Sequence, residues 1–356
     1  MEEYWLWLCS QKELYRPHQE ALLRCFGSPR EVFEAPDGEL ESLSFLTERQ
    51  KDALKRAKRE ENSWHVLEQK GIRFISIEHP AYPERLKEIP DAPYGIFWKG
   101  SLPADHRKSI AMVGARKCSF YGRQIASEIG RALAGCGVQI ISGMALGIDS
   151  CSQEAALESG GESFAVLGCG VDVCYPRRNR ELYRRLEEQG GLISEFPPGR
   201  EPLAHHFPIR NRIISGLSET VLVIEARERS GSLITVDCAL EQGRDVMAVP
   251  GRMKDAASSG CNRLIDQGAG IILSVEHLLR VLKLSPENIK NTKNHQIPLE
   301  TKEKLVYSCL DLQPVSLEGI IQKTHLNAQE TMGVLTALLL KGYAEEPVKN
   351  HYKKTN

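Results

Sequence analysis

The sequence predicts an α/β fold: a mostly parallel sheet, with a small helical N-terminal domain before it and a compact C-terminal module after it. Three observations carry this expectation. From about residue 110, short apolar runs alternate with helical stretches, the pattern of a parallel sheet covered on both faces. Residues 1 to about 75 show helical spacing without such runs. Residues 285–299 are polar and rich in Asn and Lys, with Pro286 and Pro298, and read as a linker to a separate tail.

In the N-terminal part, Leu22, Leu23 and Phe26 lead into the turn Gly27-Ser28-Pro29, and Val32 and Phe33 restart an apolar pattern. Two short helices around a Gly-containing turn resemble a helix-hairpin-helix, which can hold a nucleic-acid backbone; a plain helical bundle is the simpler reading. Thr47 precedes a Glu-, Lys- and Arg-rich run to Glu61, with Ala53, Leu54 and Ala57 at helical spacing. Residues 72–77 and 95–98 look extended and are expected as edge strands. Ile110-Ala111-Met112-Val113 is the first central strand. Ile125, Ile129, Leu133 and Cys136 then share one helix face, and Gly137 stops it. Further strands are expected at 138–141, 163–167, 192–194, 220–225, 245–249 and 270–273. In the tail, 304–310 and 317–323 read as helices, and Asn327 with Glu330 caps a third that ends at Lys341-Gly342. Tyr343-Ala344-Glu345 looks extended, so three helices and a strand suggest a winged-helix module. The expected domains are 1–75, 76–285 and 299–356, with 286–298 as the linker.

Composition narrows the function classes. The 356 residues carry 46 Lys and Arg against 47 Asp and Glu, which argues against holding nucleic acid by bulk positive charge but leaves room for a local site. No run of 18 apolar residues occurs, so no membrane span is expected. The start, Met1-Glu2-Glu3-Tyr4, is acidic and unlike a signal peptide. Ten cysteines include no C-x-x-C pair, and Cys169 and Cys174 have no His cluster beside them. Reduced thiols in a cytoplasmic protein fit better than zinc or disulfides.

In an open parallel sheet, ligands bind at the carboxyl ends of the strands. Those positions hold Gly114-Ala115-Arg116-Lys117, then Ser142-Gly143-Met144-Ala145-Leu146-Gly147-Ile148-Asp149, then Gly168-Cys169-Gly170, and finally Ser230-Gly231-Ser232. Neither a G-x-G-x-x-G fingerprint nor a P-loop is present, so the loops read as a phosphate-backbone surface rather than a nucleotide pocket. Arginines accompany them. Arg177 and Arg178 stand beside Asn179, and Phe207-Pro208-Ile209-Arg210-Asn211-Arg212 puts two more at a helix start. Residues 110–285 hold 17 Arg and three Lys, and Arg suits forked phosphate contacts and buried pairs. His205 and His206 read as capping or packing residues rather than metal ligands. Asp149 reads as a helix cap. No catalytic constellation, metal site or cofactor is expected.

The ordered motifs Gly114-Ala115-Arg116, Ser142-Gly143-Met144-Ala145-x-Gly147-Ile148-Asp149, Tyr175-Pro176-x-x-Asn179, Phe207-Pro208-x-Arg210-Asn211-Arg212, Ser230-Gly231-Ser232-Leu233-Ile234-Thr235 and Val249-Pro250-Gly251 resemble the DNA-processing protein A (DprA/Smf) family over roughly residues 75–285. The resemblance implies an extended Rossmann-like domain that binds single-stranded DNA and forms homodimers, with a sterile-alpha-motif-like domain before it and a winged-helix-like module after it. It implies protection of incoming strands in natural transformation and loading of the RecA recombinase, with no enzymatic activity. By that resemblance Arg116 contacts the DNA backbone, as does the basic residue after Tyr-Pro, commonly Lys and here Arg177. The candidate DNA-binding set is Gly114, Arg116, Lys117, Ser142, Gly143, Arg177, Arg178, Asn179, Arg210, Asn211, Arg212, Ser230, Gly231 and Ser232, with Arg116, Arg177 and Arg210 expected to line one site. Tyr121 and Tyr175 are candidates for base stacking, though each also reads as a packing residue. Leu264, Ile265 and Ile271 correspond to the family's dimer surface and read equally well as core.

Two other classes compete. Rossmann-like phosphoribohydrolases use P-G-G-x-G-T-x-x-E, but the position three after Thr235 is Cys238, not Glu. A protein-interaction role fits the tail, whose third helix is largely apolar and has Lys341 as its one cation, poor equipment for DNA.

Overall fold

Burial on both faces explains why the central apolar runs become parallel strands. The computed structural model describes residues 1–58, 63–284, 301–311, 314–341 and 343–354. One nine-stranded sheet contains β1 (Arg73–Ser76), β2 (Gly95–Gly100), β3 (Ser109–Val113), β4 (Gln139–Ser142), β5 (Ser163–Val166), β6 (Gly190–Ser194), β7 (Thr220–Val223), β8 (Asp245–Ala248) and β9 (Gly270–Ile271). β3 is buried along its whole length. Ala111 and Val113 face one apolar layer, and Ile110 and Met112 face the other, as strand alternation requires.

The helices are α1 (Glu2–Cys9), α2 (Arg16–Phe26), α3 (Pro29–Glu34), α4 (Asp37–Ser42), α5 (Glu48–Ala57), α6 (Ser63–Gln69) and α7 (Glu84–Lys87) ahead of β2. Between and after the central strands come α8 (Phe120–Gly135), α9 (Ile148–Glu158), α10 (Arg180–Gln189), α11 (His206–Gly216), α12 (Leu233–Glu241), α13 (Ser259–Asp266) and α14 (Val275–Val281). α2 and α3 flank Gly27 and Ser28, whose hydroxyl caps α3 by accepting from Glu31 N–H at 3.2 Å. α5 starts at the Thr47/Gln50 capping box and ends at Ala57, short of the run to Glu61, which lies outside the described residues.

The strand order is β1-β2-β6-β5-β4-β3-β7-β8-β9. From β3 the chain moves outward through β4, β5 and β6, then returns to place β7, β8 and β9 on β3's other side. The order therefore reverses between β3 and β7, the switch point where an open α/β sheet presents a crevice. The two extended segments correct one expectation. Only β1 is an edge; β2 lies inside it and pairs antiparallel with both β1 and β6. α1 packs against β1 and β2, and Glu2 accepts from the Ser76 N–H at 3.2 Å.

Two compact units divide the chain. One holds Met1–Cys118 and Gly122–Lys290, the other Asn291–Asn356 with Ser119–Tyr121. The expected linker, 286–298, lies outside the described residues. The smaller unit contains α15 (Thr301–Cys309), β10 (Val315–Ser316), α16 (Leu317–Thr324), α17 (Ala328–Leu340), β11 (Ala344–Val348) and β12 (His351–Lys354). Its sheet runs β10-β12-β11, and Val306, Leu310, Ile320, Leu335 and Leu338 form its core. The Asn327/Glu330 box caps α17 as its sequence predicts.

Candidate nucleic-acid interface

The loops after β3 and β7 part at the switch point and leave a cavity of about 520 Å³. Gly114, Arg116 and Lys117 form one wall, Arg227, Arg229, Ser230, Gly231 and Ser232 another, and Phe207 with Arg210 belongs to the same lining. Backbone bonds set the first loop: Ala115 N–H donates to Glu225 O at 2.8 Å, and Ile148 N–H donates to Ala115 O at 3.3 Å. Gly147, at φ +85°, lets α9 start there; a Cβ would lie 2.7 Å from Arg116 O. Ser230, Gly231 and Ser232 lead directly into α12, so its positive end faces the cavity side of the loop.

Arg116 is exposed, and its guanidinium carbon stands 5.4 Å from the centre of the Phe207 ring. Tyr175, 43% exposed, lies 5.5 Å from Phe207 with 31° between the ring planes. A cation, a half-buried ring and an exposed ring thus stand together at the sheet's carboxyl edge. Lys117, Arg177 and Arg178 are also exposed. Arg177 sits on the short turn Arg177–Asn179 and does not belong to the cavity lining that Arg116 and Arg210 share.

Other members of the candidate set support the surface from behind. Arg210 is 4% exposed, and Nη1 donates to Gly143 O at 3.0 Å and to Val166 O. Burial lowers its pKa to about 10, against the pull of Asp149. Asp149 accepts from Gly143 N–H at 3.1 Å and Ala145 N–H at 3.4 Å. It therefore braces the loop, while Gly147 occupies the helix-cap position expected of it. Burial raises the Asp149 pKa, with Arg210 and those two N–H groups opposing the rise. Gly143 has room only for hydrogen, since a Cβ would sit 2.6 Å from the Arg210 guanidinium. Ser142 is buried and donates to Met112 O at 2.6 Å. Asn179 is buried and donates to Met144 O at 2.9 Å, holding Met144 at a left-handed φ of 53°. Asn211 is buried, and its amide nitrogen lies 3.4 Å from Gly231 O.

Arg212 departs furthest from the expectation of a surface contact. It is 5% exposed, on the opposite side of α11, paired with Asp91 at 2.8 Å and Glu195 at 2.5 Å. It lines a second cleft of about 640 Å³. That cleft's Arg212, Asp91 and Glu195 satisfy one another, so they offer a ligand little free charge. The start of α11 is tied to α2 through Tyr15. The Tyr15 hydroxyl lies 3.3 Å from His206 Nε2 and 3.0 Å from His205 Nε2, and Arg200 donates to it. His206 is buried, stacked on Phe196 at 4.1 Å, with Nδ1 3.1 Å from Gly168 O. Burial, with Arg200 nearby, lowers its pKa to about 4.

Sequence reasoning passed over Arg227 and Arg229, both exposed, and Phe207 as a ring. The arginines carried a readable signal, two cations just after the β7 run. Phe207 carried a weaker one, an aromatic beside the Arg210 motif. Leu264 and Ile265 pack half-buried against the core, whereas Ile271 on β9 is exposed.

Residues 73–283 match the family model for DNA recombination-mediator protein A, and residues 290–346 match the DprA winged helix domain. The chain belongs to the DNA recombination-mediator protein A family. Protein Smf of Escherichia coli K12 is 40% identical over 292 residues, covering 80% of this chain and 78% of that one. DNA processing protein DprA of Streptococcus pneumoniae R6 is 44% identical over 205 residues, covering 58% of this chain and 72% of the relative. An X-ray structure of DprA from Streptococcus pneumoniae superposes with a TM-score of 0.67 at 35% identity, covering 79% of this chain and 98% of that one. A Helicobacter pylori DNA processing protein A, described for its single-stranded DNA binding mode, superposes with a TM-score of 0.55 at 26% identity, over 59% of this chain and 96% of that one. The recombination-mediator region thus spans the whole nine-stranded sheet, β1 to β9. No helix among the described residues is long and apolar enough to cross a membrane.

Proposed function

We propose that this chain binds single-stranded DNA along the carboxyl edge of its central sheet, protects incoming strands during natural transformation, and loads RecA recombinase onto them. The observation that carries the reading is the grouping of exposed Arg116 with Phe207 and Tyr175 at the switch point. A single strand offers both phosphates and unstacked bases, and this edge offers a cation for one and rings for the other. A duplex hides its base faces and would use only the cations. The family and the Helicobacter pylori relative's single-strand binding support the same reading. In this reading Arg116, Lys117, Arg177 and Arg178 meet phosphate, joined by Arg227 and Arg229. Arg210, Asp149, Ser142, Gly143 and Asn179 hold the loops in place. The protein works in the cytoplasm as a homodimer through the β9 edge, without a cofactor and without catalysing a reaction. Residues 1–75 serve as a helical accessory domain, and 299–356 as a protein-facing module.

Electrophoretic binding to poly-dT and to a duplex of equal length tests the proposal. Preferential retention of the single strand is expected, with RecA exchange onto the coated strand as the second readout. Equal affinity for both forms would sink it.

A further inference from the structure

The switch-point cavity does not end at Phe207. Pro208, the next residue, lines both that cavity and the cleft of about 640 Å³, so the two hollows meet at the start of α11. The cleft lies between the helical N-terminal segment and the sheet. Lys12, Leu14, Tyr15 and Pro17 come from the first, Arg200 and Ile209 from the second. Lys12 and Arg200 also line a smaller hollow of about 340 Å³ with Thr47 and Arg49 at the start of α5.

Charge in the cleft is uneven. Arg212 holds Asp91 and Glu195, and Arg16 holds Glu20 and the Ala92 carbonyl. Among the described residues, no carboxylate pairs with Lys12 or Arg200, and Glu241 is the carboxylate of the lining left without a cation. Lys12 is exposed, and its ammonium stands beside Gly199, the residue before Arg200: a Cβ on Gly199 would lie 3.5 Å from Nζ. Two like charges gathered without a counter-ion favour an anion between them.

The pairing of the switch point recurs here. The Arg200 guanidinium carbon stands 5.4 Å from the centre of the Tyr15 ring, the same separation as Arg116 from Phe207. Arg200 donates to the Tyr15 hydroxyl, which lies 3.0 Å from His205 Nε2. The second cation and ring are thus fastened to the α11 start that carries the first ring.

We propose that a single strand leaving the Arg116–Phe207 edge passes over Pro208 into this cleft, where Lys12 and Arg200 donate to phosphate oxygens and Leu14, Pro17 and Ile209 meet base surface. A cationic groove with apolar contacts for unstacked bases is what single-strand binding requires. The helical N-terminal segment then supplies one wall of the DNA path. The inference rests on the single-strand reading above.

The test uses the full-length protein and oligo-dT of about 25 nucleotides, longer than one hollow can hold. Lys12 is exposed, so Lys12→Gln should change stability by no more than about 0.5 kcal/mol. It should lower the salt slope of binding by about 0.7, and Lys12→Gln with Arg200→Gln by about 1.4, one and two phosphate contacts. Lys12→Arg should keep the wild-type slope. Ultraviolet crosslinking of the same oligonucleotide should tag a peptide containing Leu14 to Pro17. Wild-type slopes in both Lys12→Gln and the double variant, beside a lowered slope in Arg116→Ala, overturn the second cleft and leave the switch-point site standing. Wild-type protein that fails to retain the oligonucleotide overturns the single-strand reading and this extension with it.

Discussion

Arg210→Ala should destabilise the protein, whereas Arg116→Ala should leave stability intact and weaken binding. Arg210 is buried, holds two backbone carbonyls and faces a buried carboxylate. Removing one partner of a buried charge pair costs about 3–5 kcal/mol, because the other charge is left uncompensated. Here the low end applies. Asp149 keeps the Gly143 and Ala145 N–H groups, and its raised pKa eases its neutralisation. At about 2–4 °C per kcal/mol, a loss of about 3 kcal/mol lowers Tm by roughly 6–12 °C. Arg116 is exposed, so its removal should shift stability by no more than about 0.5 kcal/mol. It should instead lower the poly-dT salt slope by about 0.7. Scanning fluorimetry and anisotropy across a salt series read both quantities on the same preparations. If Arg210→Ala keeps its Tm and loses slope like Arg116→Ala, Arg210 is a phosphate ligand and the division between surface and support fails.

Phe207→Ala and Tyr175→Ala should each weaken poly-dT binding by about 1–3 kcal/mol with the salt slope unchanged, since stacking releases no counterions; affinity within twofold of wild type would refute the stacking role. His206 stays neutral in the fold down to about pH 4, while an unfolded imidazole takes its proton near pH 6.5. The unfolded state therefore binds more protons between those values, and stability should fall as pH drops through that window; His206→Gln should flatten the Tm profile there, and parallel profiles would count against it. Deleting residues 299–356 should change single-strand affinity by less than about threefold, given the scarcity of cations on α17; collapse of binding with the sheet still folded would overturn this. Ile271→Asp should shift the protein toward monomer in light scattering if β9 is the dimer edge, and an unchanged mass would refute that placement.

The central strands were legible because each is a short apolar run, and burial on both faces demands that. The pairing of β1 outside β2 was not, because an extended run records no partner. The site was legible as a set of loops rather than as an exposure map. Gly114, Arg116 and Ser230 follow strands, and that position is visible in the chain. The burial of Arg212 depends on Asp91 and Glu195, residues 121 and 17 positions away, which only the folded backbone brings together. Likewise Arg210 reads as a surface cation until Gly143 and Val166 turn their carbonyls toward it. Arginine abundance in this region predicts both outcomes, forked surface contacts and buried pairs, and cannot assign a given side chain to either.

The two margins of the large sheet are unequal. At β1 the Glu2 carboxylate already takes the Ser76 N–H, so another strand finds less to join. At β9 the margin is two residues long, with Ile271 and Leu273 open beside it. A sheet with one joinable margin can add a neighbour once and then has nothing left to offer. Association there about a twofold axis would end in a closed pair rather than a growing filament.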